Sequence, residues 1–115
     1  MTAPAPLSAV VDVFRAALER AGCAADARLF ETHISLVLAA GDRAYKFKKP
    51  VDFGFIDFST LEKRRFYCER EVALNRHVAP TLYLGVEPIC APSAPGVPCE
   101  YAVCMRRFAA DTTLD

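Results

Sequence analysis

The stretch Leu36-Val37-Leu38-Ala39-Ala40-Gly41-Asp42-Arg43-Ala44-Tyr45-Lys46-Phe47-Lys48-Lys49 decides the architecture. An unbroken apolar run from Leu36 to Ala40, a Gly-Asp pair, and then a segment of alternating character read as a β-hairpin closed by a tight turn. Successive side chains of a strand point to opposite faces, so Ala44, Lys46 and Lys48 share one face while Tyr45 and Phe47 share the other. The aromatic pair belongs on an apolar surface, packed against a neighbouring helix. The face bearing Lys46 has to meet something else.

Upstream, Val10, Val11, Phe14, Ala17, Leu18 and Ala21 recur at helical spacing with Asp12, Arg15, Glu19 and Arg20 between them. This predicts an amphipathic helix over residues 9–21, with Ser8 as its N-cap and Gly22 as its stop, followed by a short link. Downstream, Ser59-Thr60-Leu61-Glu62 has the form of a capping box and predicts a helix from about residue 60 to 78, ended by Pro80. Its helical phase places Leu61, Tyr67, Cys68, Glu71, Asn75 and Val78 on one side and Glu62, Glu69, Ala73 and Arg76 on the other. A carboxylate amid that mostly apolar side is costly unless paired, so Glu71 calls for a cation. Two further strands are expected at Leu82–Val86 and Glu100–Met105, separated by a loop containing Pro88, Pro92, Pro95 and Pro98.

Composition narrows the function. The chain has 115 residues, with 14 basic against 14 acidic side chains. That balance creates no broad field for nucleic acid or a membrane surface, so a positively charged function must be local. No apolar run approaches the ~20 residues that span a bilayer, and the start of the chain lacks the basic and apolar regions of a signal peptide. A soluble, cytoplasmic protein is expected. The odd count of five cysteines, Cys23, Cys68, Cys90, Cys99 and Cys104, then points to free thiols. Their spacing does not make a zinc site, and no metal ligand is assigned.

The resulting order of elements places a lysine on the second strand of a hairpin and an inward glutamate on the next helix. In protein kinases, an A-x-K strand lysine contacts the α/β-phosphates of ATP, and a glutamate of the following helix holds it. Here Ala44-Tyr45-Lys46 and Glu71 supply that pattern. The segments Glu31-Thr32-His33-Ile34-Ser35, Gly41-Asp42-Arg43-Ala44-Tyr45-Lys46, Lys48-Lys49-Pro50-Val51-Asp52-Phe53-Gly54-Phe55 and Asp57-Phe58-Ser59-Thr60-Leu61-Glu62 extend it. With Leu82-Tyr83-Leu84-Gly85 and Tyr101-Ala102-Val103-Cys104-Met105-Arg106-Arg107-Phe108, the chain resembles the N-terminal part of the bacterial aminoglycoside phosphotransferase-like proteins, which have a kinase-like fold.

The resemblance implies an α+β kinase-like N-lobe: a twisted antiparallel sheet of about four to five strands, one helix packed after the third strand, and an extra N-terminal helix. Residues 1–27 would form the N-terminal helix and linker, and residues 28–115 an incomplete lobe whose C-lobe is absent. ATP would bind under the sheet. Lys46 would contact phosphate, Glu71 would hold Lys46, and Ala44 would lie against the base. Thr32 and Ser35 would occupy the place of the phosphate-covering loop, and Met105 to Phe108, with Arg106, would reach the hinge that binds adenine. No G-x-G-x-x-G is present, since the five glycines are dispersed.

Asp52-Phe53-Gly54 spells a kinase metal-binding motif but precedes the helix of Glu71, so it is read as a structural linker. The catalytic loop and the ligands of Mg²⁺ would belong to the C-lobe. The whole protein would be a small-molecule kinase, transferring the γ-phosphoryl group of ATP to a hydroxyl, and this chain would be inactive alone. Its partners would be the nucleotide, the hydroxyl acceptor, a C-lobe and, as often in this family, a P-loop ATP-binding domain. The alternative is a non-catalytic regulatory or interaction module attached to a P-loop ATPase.

Overall fold

The computed structural model describes residues 6–22, 27–91 and 94–106. Helix α1 spans Leu7–Arg20, followed by strands β1 (Arg28–Glu31), β2 (Ser35–Ala40) and β3 (Arg43–Lys48), helix α2 (Leu61–Asn75), and strands β4 (Tyr83–Cys90) and β5 (Pro98–Arg106). The strands make one antiparallel sheet in the order β1-β2-β3-β5-β4. The α+β expectation, with one helix after the third strand, holds at this level.

The decisive hairpin forms as read. Ala40 pairs with Arg43, leaving Gly41 and Asp42 as a two-residue loop. Gly41 takes a φ of 63°, a left-handed conformation that costs a residue without Cβ little. Tyr45 and Phe47 turn to α1, where Phe14 meets their rings edge-on at 4.8 and 5.9 Å. They join Val11, Leu36, Leu38, Ile89, Ala102 and Cys104 in the larger apolar core, with Leu7, Val10 and Leu18 packed on it. On α2, Cys68 and Val72 pack with Val103 in a smaller cluster, joined by Tyr83, Val86, Tyr101 and Met105.

Several expectations need correction. Helix α1 begins at Leu7 with Pro6 at its N-cap, so Ser8 lies within the first turn and does not cap it. Proline suits a helix start because the donor it lacks would have no intrahelical acceptor. At α2 the cap is Thr60, which accepts from the Lys63 amide, while the Ser59 hydroxyl donates to Asp57. Asp57 is also held by Lys63, so the residues before the helix form a local network that displaces Ser59. Helix α2 ends at Asn75 rather than near residue 78.

Its buried stripe is also rotated from the expected one. Cys68 and Val72 are buried, whereas Tyr67 and Val78 are exposed. The stripe runs through Arg64, Cys68, Glu71, Val72 and Asn75, following contacts with β4 and β5 rather than summed hydrophobicity. Strand β4 continues past Val86 and takes in Pro88. That position is tolerated because β4 is an edge strand, where a missing amide donor need break no central ladder. The residue pattern gave no bounds to strand β1, which pairs Arg28–Glu31 with β2.

Candidate functional site

Lys46 and Glu71 meet. Parity along β3 and the phase of α2 bring the Lys46 Nζ to 3.2 Å from Glu71 Oε2. The other oxygen, Oε1, accepts from Lys48 Nζ at 2.7 Å. One half-buried carboxylate therefore lies between two ammonium groups on the same face of β3. Lys48, which the sequence reading placed on the Lys46 face without a role, is buried. Its Nζ lies 5.1 Å from the centroid of the Phe58 ring, which folds back from the segment before α2.

The electrostatics follow from that count of charges. Burial alone would raise the Glu71 carboxyl, but the hydrogen bond and charge of Lys48, joined by those of Lys46, outweigh it and hold the group below the ordinary carboxylate range. The cluster carries one anion and two cations, leaving a surplus positive charge in a partly desolvated place. Such an arrangement attracts a further anion. Its one carboxylate is engaged by both lysines, so its chemistry is electrostatic.

The remaining sequence candidates lie around this centre with differing degrees of engagement. Ala44 pairs with Met105 across β3 and β5, one alternation from the Lys46–Val103 pair, so Ala44 and Met105 extend the Lys46 face. Met105 also packs against the α2 cluster. Ser35 pairs with Lys48, and the β1–β2 turn therefore lies at that end of the same hairpin. Within the turn, Thr32 Oγ1 is 2.8 Å from Ser35 Oγ and accepts from the Ser35 and Ile34 amides. These hydroxyls brace the turn. Arg106 donates through Nε to the Thr81 carbonyl at 3.2 Å, tying the end of β5 to the segment before β4. Arg107 and Phe108 of the expected hinge segment lie outside the described residues.

Asp52-Phe53-Gly54 is a turn. The Gly54 amide donates to Asp52 Oδ1 at 2.8 Å, Gly54 has a φ of 86°, and Asp52 bridges to Asp57. The carboxylate thus stabilises its own loop, in keeping with the linker assignment. A shallow groove lined by Asp57, Thr60, Lys63, Phe66 and Tyr67 opens at the start of α2, apart from Lys46 and Glu71. Among the described residues, no group of three or more acidic, His or Cys side chains is arranged to hold a metal. The described cysteines are free thiols, and burial pushes Cys68 up to about 11. No described helix is long and apolar enough to cross a membrane.

A second buried pair, absent from the sequence reading, joins α2 to β5. Arg64 Nε donates to Glu100 Oε1 at 3.0 Å and Nη1 donates to the Phe58 carbonyl at 2.8 Å. The Tyr101 amide donates to the same Glu100 oxygen. No local pattern marks it, because the partners come from distant segments.

No family model matches the chain, and no solved structure matches it. Over 78 residues, 68% of the chain, it is 47% identical to uncharacterized proteins of Mycobacterium bovis and of two strains of Mycobacterium tuberculosis. The match covers 15% of each relative, so the chain spans a small part of the length of the proteins it resembles.

Proposed function

We propose that the chain is the ATP-binding, kinase-like N-lobe of an aminoglycoside phosphotransferase-like small-molecule kinase, unable to transfer phosphate by itself. The observation that carries this reading is the Lys46–Glu71 ion pair, made between the third strand of an antiparallel sheet and the helix that follows it. In phosphoryl transfer the protein chiefly positions and neutralises phosphate oxygens. Lys46 would do so at the α/β-phosphates, with Glu71 holding its ammonium in place. The face formed by Ala44 and Met105 would receive the base. Thr32 and Ser35 would hold the turn above the phosphates, and the end of β5 at Arg106 would lead to the adenine-binding hinge. Mg²⁺, the catalytic base and the hydroxyl acceptor would be held by a C-lobe, with a P-loop domain as a further partner.

The test uses the full-length protein. A non-hydrolysable ATP analogue with Mg²⁺ is expected to raise its melting temperature, and Lys46→Ala or Glu71→Ala is expected to abolish the rise. An unchanged melting temperature in the unsubstituted protein overturns the reading. Purified residues 1–115 are expected to turn over ATP no faster than their Lys46→Ala variant.

A further inference from the structure

The geometry points to Lys48 as the positioning residue of this site: it fixes Glu71 from the buried side, so that Glu71 can steady the Lys46 ammonium while that ammonium also meets an arriving phosphate. This inference rests on the nucleotide-binding reading above and adds to it a division of labour between the two lysines. Charge-assisted N–H···O contacts cluster near 2.7–2.9 Å. Lys48 meets Glu71 within that range at 2.7 Å, while Lys46 stands off at 3.2 Å. The side chain of Lys48 is 8% exposed and that of Lys46 is 32% exposed. Lys48 is further confined beneath the Phe58 ring, which is itself buried. Of the two, only Lys46 reaches solvent appreciably.

The consequence concerns the carboxylate once Lys46 divides its charge between Glu71 and phosphate. Were Lys46 the sole partner, sharing it with phosphate would leave a half-buried carboxylate under-compensated, an unfavourable arrangement. With Lys48 on Oε1, Glu71 stays neutralised and fixed while Lys46 is shared. The Lys48–Glu71 contact also ties α2 to β3 without nucleotide, so the helix need not move to assemble the site.

Glu71 is faced by Lys46 and Lys48 of β3 and by the Cys68 thiol within α2. On the neighbouring strands, Glu100 of β5 is paired with Arg64, and Tyr83 of β4 packs with Cys68 and Val72. The titration of Glu71 therefore reports which lysine holds it. With glutamate side chains of the full chain ¹³C-labelled, the Glu71 carboxyl is expected to titrate below the ordinary range in the unsubstituted protein and in Lys46→Met. It is expected to move upward in Lys48→Met and to stay low in Lys48→Arg, which keeps the charge.

Binding of ATP with Mg²⁺ to Lys48→Met is expected to be about tenfold weaker, the scale of one lost charge-assisted contact, with the loss deepening on acidification as Glu71 protonates. A role in packing alone would not move that acid limb. The inference is overturned if Lys46→Met raises the Glu71 titration as much as Lys48→Met, or if Lys48→Met binds ATP as the unsubstituted protein does across the pH range. Should Lys48→Met fail to fold, the Lys46→Met and Lys48→Arg titrations decide, since a raised Glu71 in either one overturns it. If the unsubstituted protein binds no nucleotide, the proposed function fails, while the titration still decides which lysine positions Glu71.

Discussion

Glu71 and Glu100 are both carboxylates withdrawn into the seam between α2 and the sheet, and their surroundings push them in opposite directions. Burial raises each of them. At Glu71 two lysines overcome that penalty. At Glu100 the single Arg64, helped by the Tyr101 amide, does not, and the carboxyl is raised despite an ion-pair distance of 3.0 Å. Distance alone would treat the two contacts as equivalent; the direction at Glu100 follows from its deeper burial and single cation. The difference separates a strut from a candidate site. The Arg64–Glu100 pair has matched charge, whereas the Lys46–Glu71–Lys48 cluster has a cation left over.

The largest effect is expected from breaking the strut. Glu100→Ala leaves the nearly buried Arg64 guanidinium without its partner and should lower stability by about 3–5 kcal/mol in urea denaturation. Any nucleotide affinity of the remaining folded protein should change little. Glu71→Gln should have a smaller effect on stability, about 2 kcal/mol, because the carboxamide oxygen can still accept from the buried Lys48 and because Lys46 reaches solvent. It should remove nucleotide binding nonetheless, and equal stability losses at the two positions would erase the distinction drawn above.

The pH dependence sharpens it. Glu71 has a folded value below its unfolded one, so its contribution is complete above the unfolded value of about 4.5 and is lost as pH falls through the folded value. Glu100 has a folded value above its unfolded one. Its contribution is therefore complete below the unfolded value and is lost as pH rises through the folded one. Denaturation midpoints across acid and neutral pH should show the stability gap to Glu71→Gln closing in acid. The gap to Glu100→Gln should narrow on the way to neutrality instead.

The smallest effect tests the helix that both pairs share. Thr60→Ala should cost about 1 kcal/mol, the usual scale for a lost N-cap, and Ser59→Ala less than about 0.5 kcal/mol. Amide exchange in Thr60→Ala should quicken first around Arg64, one turn into α2, and least around Glu71.

The central pair was legible because two local periodicities intersect at it. Alternation along β3 put Lys46 on one face, and the phase of α2 turned Glu71 inward. The same alternation put Lys48 beside Lys46, yet its burial was not legible, because it depends on Phe58 returning over the strand. Glu100 had no local signal: a glutamate at a strand start resembles any solvated one until Arg64 arrives. The stripe of α2 was misjudged for a related reason. Tyr67 is more apolar than Arg64, but β5 offers Arg64 a carboxylate and the segment before α2 a carbonyl, and Tyr67 stays at the surface.

The hairpin, both helices and the meeting of Lys46 with Glu71 follow from residue order, since each rests on a repeat of two or about 3.6 residues along the chain. Which lysine holds the carboxylate, which end of α2 carries a buried ion pair and where β1 joins the sheet were settled only by packing. Those outcomes depend on desolvation and charge pairing between segments far apart in the chain, and neither can be assigned until the fold brings the segments together.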